Sequence, residues 1–136
     1  MKVAVSATEG NLDAQIDPRF GRCQYFVIVD TDSMEYEAVS NASAMASGGA
    51  GIQAAQNVAK MGVEAVITGN VGPNAFQTLS ASGIKIVTGA SGIVRDAVER
   101  FGKGELGETT SPTVGGHFGM GGGRGGGRGM GDGRGR

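Results

Sequence analysis

The chain has 136 residues, 27 of them glycine, with one cysteine, one histidine, no tryptophan and a formal net charge of -1. That length favours one domain with one modest core. A single cysteine excludes an internal disulfide, one Cys with one His excludes a four-ligand structural zinc site built by this chain alone, and no apolar run approaches the ~18 residues of a membrane span.

Lys2 to Ser6 reads as a short strand, too brief an apolar run for a signal peptide, so a cytoplasmic location is expected. A polar loop with Glu9-Gly10-Asn11, Asp17-Pro18 and Gly21 follows to about Gln24. Tyr25 to Val29 is β-branched and aromatic, the clearest strand in the chain. Asp30 to Ser33 is turn chemistry, and Glu35 to Ser40 alternates polar and apolar as a half-buried strand should. The two runs make an antiparallel hairpin.

Asn41 to Ala50 is a loop of small residues. Gly51 to Lys60 is a helix with Ile52, Ala55, Val58 and Ala59 on one face, stopped by Gly62. Ala65 to Thr68 is a continuous apolar run, the pattern of a parallel strand covered on both faces. Pro73 opens a second helix that Gly83 ends. Ile84 to Thr88 is a fifth strand. Ser91 is placed to cap a third helix with Val94, Ala97, Val98 and Phe101 in helical spacing, ended by Gly102. The order β-β-β-α-β-α-β-α requires crossover helices between parallel strands. It yields an α/β fold with a five-stranded mixed sheet, strands 1, 4 and 5 parallel, and three helices: a ribonuclease-H-like topology over residues 1–105. Residues 106–136 are expected to be a disordered Gly/Arg/Met-rich tail. Thirteen glycines, four arginines and one aspartate lie in 115–136, whereas twelve acids outnumber eight bases up to Val114. An acidic body precedes a basic tail.

In such a sheet the loops after strands 1, 4 and 5 and the loop before helix 1 meet at one end, the default ligand site of open α/β folds. Nuclease chemistry there would need sheet-borne carboxylates for metal ions, and strands 1 and 4 carry none at their centres. No serine–histidine–acid set is available, since the one histidine lies in the tail. Gly49-Ala50-Gly51-Ile52-Gln53-Ala54 matches G-x-G-x-x-A in letters, but it comes after a hairpin, and no acid stands near position 70. A glycine-rich helix start survives that test: Gly48, Gly49 and Gly51 leave N–H groups bare for an anion, or else permit close packing. Gly69-Asn70-Val71-Gly72-Pro73-Asn74 is a second such turn, with Asn70 and Asn74 either lining a site or satisfying backbone. Cys23 comes directly after Arg19-Phe20-Gly21-Arg22. Flanking cations would favour its thiolate and metal binding, while burial would make it a small core residue. His117 and Met120 in the tail are further candidate soft ligands. The tail's Arg-Gly repeats are a weak nucleic-acid footprint, so nucleic acid is not the expected partner.

Three blocks, Arg19 to Phe26, Gly48 to Ala55 and Gly69 to Phe76, together resemble the dinitrogenase iron–molybdenum cofactor biosynthesis family, which includes NifX-like proteins and the C-terminal domain of NifB. The resemblance spans about residues 1 to 105. It implies a ribonuclease-H-like fold. It also implies non-catalytic binding, carriage or assembly of an anionic metal–sulfur cluster, iron–molybdenum-cofactor-like or iron–sulfur, labile enough to be lost on purification. Partners would be cluster donor and acceptor proteins, with no membrane. The expected cluster-binding residues are Arg19, Cys23, Gly48, Gly49, Gly51, Gly69, Asn70 and Asn74, with Cys23 and His117 as metal ligands. Two other readings use the same features: a nucleotide or phosphometabolite binder on the same glycines, and a regulatory module whose Arg-Gly tail binds a partner.

Overall fold

The structure is a computed structural model and describes residues 1–46 and 48–113. Five strands and three helices run in the order β1 (Lys2–Ala7), β2 (Tyr25–Asp30), β3 (Tyr36–Ser40), α1 (Ala50–Lys60), β4 (Ala65–Ile67), α2 (Pro73–Ala81), β5 (Lys85–Val87) and α3 (Val94–Gly102). They form one sheet in the spatial order β3-β2-β1-β4-β5. β1 runs parallel to β4, and β4 to β5. β2 is antiparallel to both β1 and β3. The expected mixed α/β sheet and its three parallel strands are thus present.

Period-two alternation divides the sheet's side chains between two cores. Ala4, Phe26, Ile28, Val66 and Ile86 face α1 and α2, where Ala54, Ala55, Val58, Ala75 and Leu79 meet them. Val3, Val5, Val27, Val29, Ile67 and Val87 face α3, packing on Val94, Ala97 and Val98. The result is three layers, helices covering both faces. β1 and β4 sit centrally and are apolar on both sides, as their unbroken hydrophobic runs predict.

Local details depart from the sequence reading in three places. β3 is an edge strand whose residues are mostly exposed, not half-buried, because no helix extends over it. Ser91 does not cap α3. That helix begins at Val94 after Ile93, and its first N–H groups are met by main chain: Val94 N donates to Ala14 O at 3.0 Å and Arg95 N to Leu12 O at 2.9 Å. Gly102 lies inside α3, and the left-handed turn falls at Gly104, φ 77°.

Residues 106–113, assigned by composition to the tail, are tied to the free edge of β5. Leu106 packs against the α3-side core. Thr109 N donates to Ile86 O at 2.6 Å, and Thr88 N donates to Thr109 Oγ1 at 3.0 Å. The two threonine hydroxyls are 2.6 Å apart. Thr113 N then donates to Val71 O, and Val71 N donates to Thr113 Oγ1. Residues 114–136, and with them His117 and the predicted disorder, lie outside the described residues. Thr109→Val keeps the shape of the side chain but leaves the Thr88 N–H without its acceptor. Urea unfolding should show a loss of about 1 kcal/mol, the cost of one partly buried donor left unmet.

Candidate functional site

All three helices start at the same end of the sheet, beyond the carboxyl ends of β1, β4 and β5. Parallel strands joined by crossovers require this. The consequences differ by face. On the α3 side the helix start is closed by the carbonyls of Leu12 and Ala14. On the other side α1 and α2 begin side by side, and a cleft of about 430 Å³ opens between their first turns. Its walls are Pro18 to Arg22, Gly49 to Ile52, Asn70 and Gly72 to Ala75.

Neither helix start at the cleft carries a side-chain cap or an acidic residue in its first turn. Gly49, φ 71°, precedes α1, and the first intrahelical bond is Gln53 N to Gly49 O. Ala50, Gly51 and Ile52 therefore present N–H groups that no turn of helix can satisfy. α2 opens with Pro73, which has no N–H, and continues with Asn74 and Ala75. Two positive helix ends thus face one concavity. The two first turns are in contact at Gly51, where a Cβ would stand 3.4 Å from the Ala75 methyl.

The loop after β1 forms the third wall, and buried polar bonds hold it. Asp17 N donates to Ser6 O at 2.9 Å. Ser6 Oγ lies 2.7 Å from both Asp17 O and Thr68 Oγ1, locking the loop to the ends of β1 and β4. Asn70 N donates to Pro18 O at 2.8 Å. Gly69 lets this happen, because a Cβ on it would come within 2.6 Å of Pro18 Cα. Gly21 lies just as close to α1: a Cβ there would be 2.7 Å from Gly51 N. Asn41 completes the clamp, its Nδ2 donating to Gly21 O at 3.1 Å and to Cys23 O at 2.8 Å.

The two arginines of this loop are unequal. Arg19 forms a two-pronged pair with Asp17, Nε to Oδ1 at 3.2 Å and Nη2 to Oδ2 at 3.1 Å. Hydrogen bonding to that carboxylate, then its charge, raises the Arg19 pKa above the ordinary arginine value. The Asp17 side chain is 4% exposed, so Arg19's charge is neutralised at the cleft wall. Arg22 instead donates from Nη1 to Ala44 O at 3.0 Å and Ala46 O at 2.6 Å. Carbonyls orient it without cancelling its charge. Among the described residues Arg22, not Arg19, is the wall's unneutralised cation.

Of the expected site residues, Arg19, Gly49, Gly51, Asn70 and Asn74 come together around the cleft. Gly48 is exposed beside it and Gly69 packs behind it; neither lines it. Cys23 is fully buried in the core against Phe20 and Phe26. Its Sγ donates to Phe20 O at 3.3 Å. Burial first, and the Asp17 charge second, push its pKa up to about 12. This reverses the direction expected from two flanking arginines, since one is spent on Asp17 and the other points at residues 44 and 46. The loop after β5 also stays away from the cleft. Gly92 O accepts from Ile16 N, because that loop leads to α3 on the opposite face. Among the described residues no three His, Cys, Asp or Glu side chains form a group that could hold a metal ion. Asp17 and Asn41 are site-building residues that the sequence reading did not single out, and Arg22, read there only as a cation beside Cys23, is a third. The only local sign was an Asn opening the small-residue loop and an Asp-Pro before the first arginine.

A second depression of about 580 Å³ lies at the other end of the sheet, lined by Met1, Asp32, Lys85, Phe101, Gly102 and Glu108 among others. Acids and bases mix there, and the carboxyl end of α3, the negative end of that helix, opens onto it. It does not suit an anion.

The Cys23 thiol should react with an alkylating reagent far more slowly in the native protein than in urea. Its burial also makes stability pH-dependent. The unfolded thiol ionises near ~8.5, the folded one at about 12. Stability from this group is complete below the first value and is lost as pH rises toward the second. Between pH 8 and pH 10.5 the native chain should lose about 2 kcal/mol more than Cys23→Ala does, measured by urea unfolding.

Comparison with known proteins places this architecture. The chain is 30% identical over 109 residues to an uncharacterized protein of Methanocaldococcus jannaschii, spanning 78% of this chain and 89% of that one. The apo form of the orange protein from Desulfovibrio gigas superposes with a TM-score of 0.80 at 47% identity, over 82% of this chain and 95% of that one. A NifB-type protein from Thermotoga does so with a TM-score of 0.67 at 36% identity, over 82% and 97% of the two chains. Residues 1–104 match the family described as dinitrogenase iron-molybdenum cofactor. The chain belongs to that family.

Proposed function

We propose that the protein is a non-catalytic carrier or assembly factor for an anionic metal–sulfur cluster, held in the cleft between α1 and α2 and exchanged with donor and acceptor proteins. The observation that carries this reading is the pair of uncapped helix starts converging on one cleft with a single unneutralised arginine beside them, among the described residues. Preorganised N–H groups and a guanidinium attract a bulky anion without a reorganisation cost. Family membership and a fold known in an apo form in the orange protein support a removable cargo.

The donor set defines what the cargo must be. The lining holds no thiol, carboxylate or imidazole among the described residues. The cargo would therefore arrive with its sulfide ligands complete and be held through them. N–H donors, Arg22 and the Asn70 and Asn74 amides would contact those sulfurs. The same lining offers no general base or nucleophile, which favours carriage over catalysis. A nucleotide suits it less well. The cleft's one aromatic residue, Phe20, is 3% exposed and unavailable for stacking on a base.

Anaerobic titration with tetrathiomolybdate, a chromophoric molybdenum–sulfide dianion, tests the reading. Arg22→Gln should weaken binding about tenfold or more, the worth of one charge-assisted contact. Asp17→Asn should act in the opposite sense on binding. It frees Arg19's charge for the cleft while the Asn oxygen still accepts the Arg19 N–H, so affinity rises even as stability falls. Binding indifferent to both substitutions would contradict the proposal.

A further inference from the structure

The sheet has two edges, and the chain treats them differently. The β5 edge is covered: Thr109 N donates to Ile86 O and Thr88 N donates to Thr109 Oγ1. The β3 edge has no neighbouring strand among the described residues. Its ladder with β2 is unbroken, residue for residue, from Tyr36 opposite Val29 to Ser40 opposite Tyr25. Asp30 N donates to Glu35 O and Asn41 N donates to Gln24 O, so the odd-numbered residues turn their main-chain polar groups toward β2. Alternation turns the N–H and C=O groups of Tyr36, Ala38 and Ser40 outward, and all three residues are exposed. None of these groups has a partner among the described residues. Exposed edges are commonly blunted by a bulge, a proline or a lysine. β3, Tyr-Glu-Ala-Val-Ser, has none of them.

The side chains along this edge select its occupant. Val39 leans on the core beneath α1 and α2, so Glu37 and Glu35, two and four residues earlier, stand on the same face. Both are exposed, and neither forms an ion pair among the described residues. With Lys2, Ile28 and Asp30 they border a shallow depression of about 270 Å³ in which acids outnumber the one base. Alternation puts Tyr36 on the opposite face beside Tyr25, both partly exposed. A second copy of this chain carries the wrong charge for such an edge. Full antiparallel overlap of two β3 strands gathers four glutamates on one face, and a slip of two residues sets Glu37 directly opposite Glu37. Like charges in those positions destabilise a strand pair, whereas opposite charges support it.

We propose that the β3 edge receives an extended segment of a partner protein as a sixth strand, antiparallel to β3, with Lys or Arg opposite Glu35 and Glu37 and an apolar residue opposite Val39. The outward groups of Tyr36, Ala38 and Ser40 supply the main-chain bonds, and the two carboxylates supply the selection. The edge runs directly into Asn41, whose amide holds Gly21 and Cys23, and on to Ala44 and Ala46, whose carbonyls orient Arg22. A docked strand therefore lies one loop away from the cleft wall. The inference stands apart from the cargo reading, since it uses no residue of the cleft.

The probe is an end-capped peptide, Thr-Val-Tyr-Lys-Val-Lys-Thr, which in antiparallel register sets its first valine opposite Val39 and its lysines opposite Glu37 and Glu35. Added to the 15N-labelled full chain, it should give saturable amide shifts at Tyr36, Ala38 and Ser40 and leave Lys85 and Ile86 at the covered edge unmoved. The same peptide methylated on its tyrosine nitrogen, opposite Ala38, lacks one main-chain donor and should bind about fivefold or more weakly. Glu35→Lys combined with Glu37→Lys changes only exposed side chains. It should weaken the lysine peptide about tenfold and bind in its place the peptide with Glu at both Lys positions. Absent shifts, or shifts centred away from β3, would overturn the proposal. Equal binding of the methylated peptide would overturn strand addition, and equal binding by the double variant would overturn the basic partner. A dimer of the unaltered chain in sedimentation velocity, with amide exchange slowed at Tyr36, Ala38 and Ser40, would also overturn it by assigning the edge to a second copy.

Discussion

Two helices that begin side by side with nothing capping them are the constraint on which this molecule turns. Parallel strands joined by right-handed crossovers put every helix start at one end of the sheet. Most proteins then satisfy those starts with Ser, Thr, Asp or Asn, or with neighbouring main chain. Here α3 obeys that rule, its first N–H groups meeting the carbonyls of Leu12 and Ala14. α1 and α2 do not, and no side-chain cap or first-turn acid stands at either. The difference between the two faces is what distinguishes a closed end from a receptive one.

Everything around the cleft is consistent with keeping it open and rigid. The Ser6–Asp17–Thr68 bonds tie the first loop to two strand ends. Gly21 and Gly69 allow main chain to pass within distances that a methyl group would forbid. Asn41 holds the far end of the same loop through Gly21 and Cys23. These are buried, satisfied polar contacts, the kind that specify one arrangement. The wall's charge is set by the same contacts, since Asp17 cancels Arg19 and leaves Arg22 free to act.

Much of this could be read from residues in order. β-branched runs marked β2, β4 and β5, Pro73 marked the start of α2, and the order of elements gave the sheet topology, because each is a local signal or a result of connectivity. Gly49, Gly51, Asn70 and Asn74 at the cleft were legible for the same reason. The features that could not be read depended on partners distant in the chain. Ser91 is a fair cap by composition, yet α3 takes its partners from residues 12 and 14. Cys23 sits beside two arginines in sequence, yet one guanidinium turns to Asp17 and the other to Ala44 and Ala46, so burial decides its pKa. Residues 106–113 have the polar composition of a tail, and only their pairing with β5 and Val71 makes them part of the body. Family resemblance pointed to the loops but not to which of their charges are free.

The central claim is that the N–H groups opening α1 and α2 are the anion-binding surface. Amide chemical-shift mapping of the 15N-labelled chain during anaerobic tetrathiomolybdate addition tests it most directly. The account predicts saturable shifts concentrated at Gly49 to Ile52 and Asn74 to Ala75, with Leu12, Ala14 and the start of α3 unmoved. Shifts centred on α3, on the far depression near Lys85, or spread evenly over the surface would contradict it.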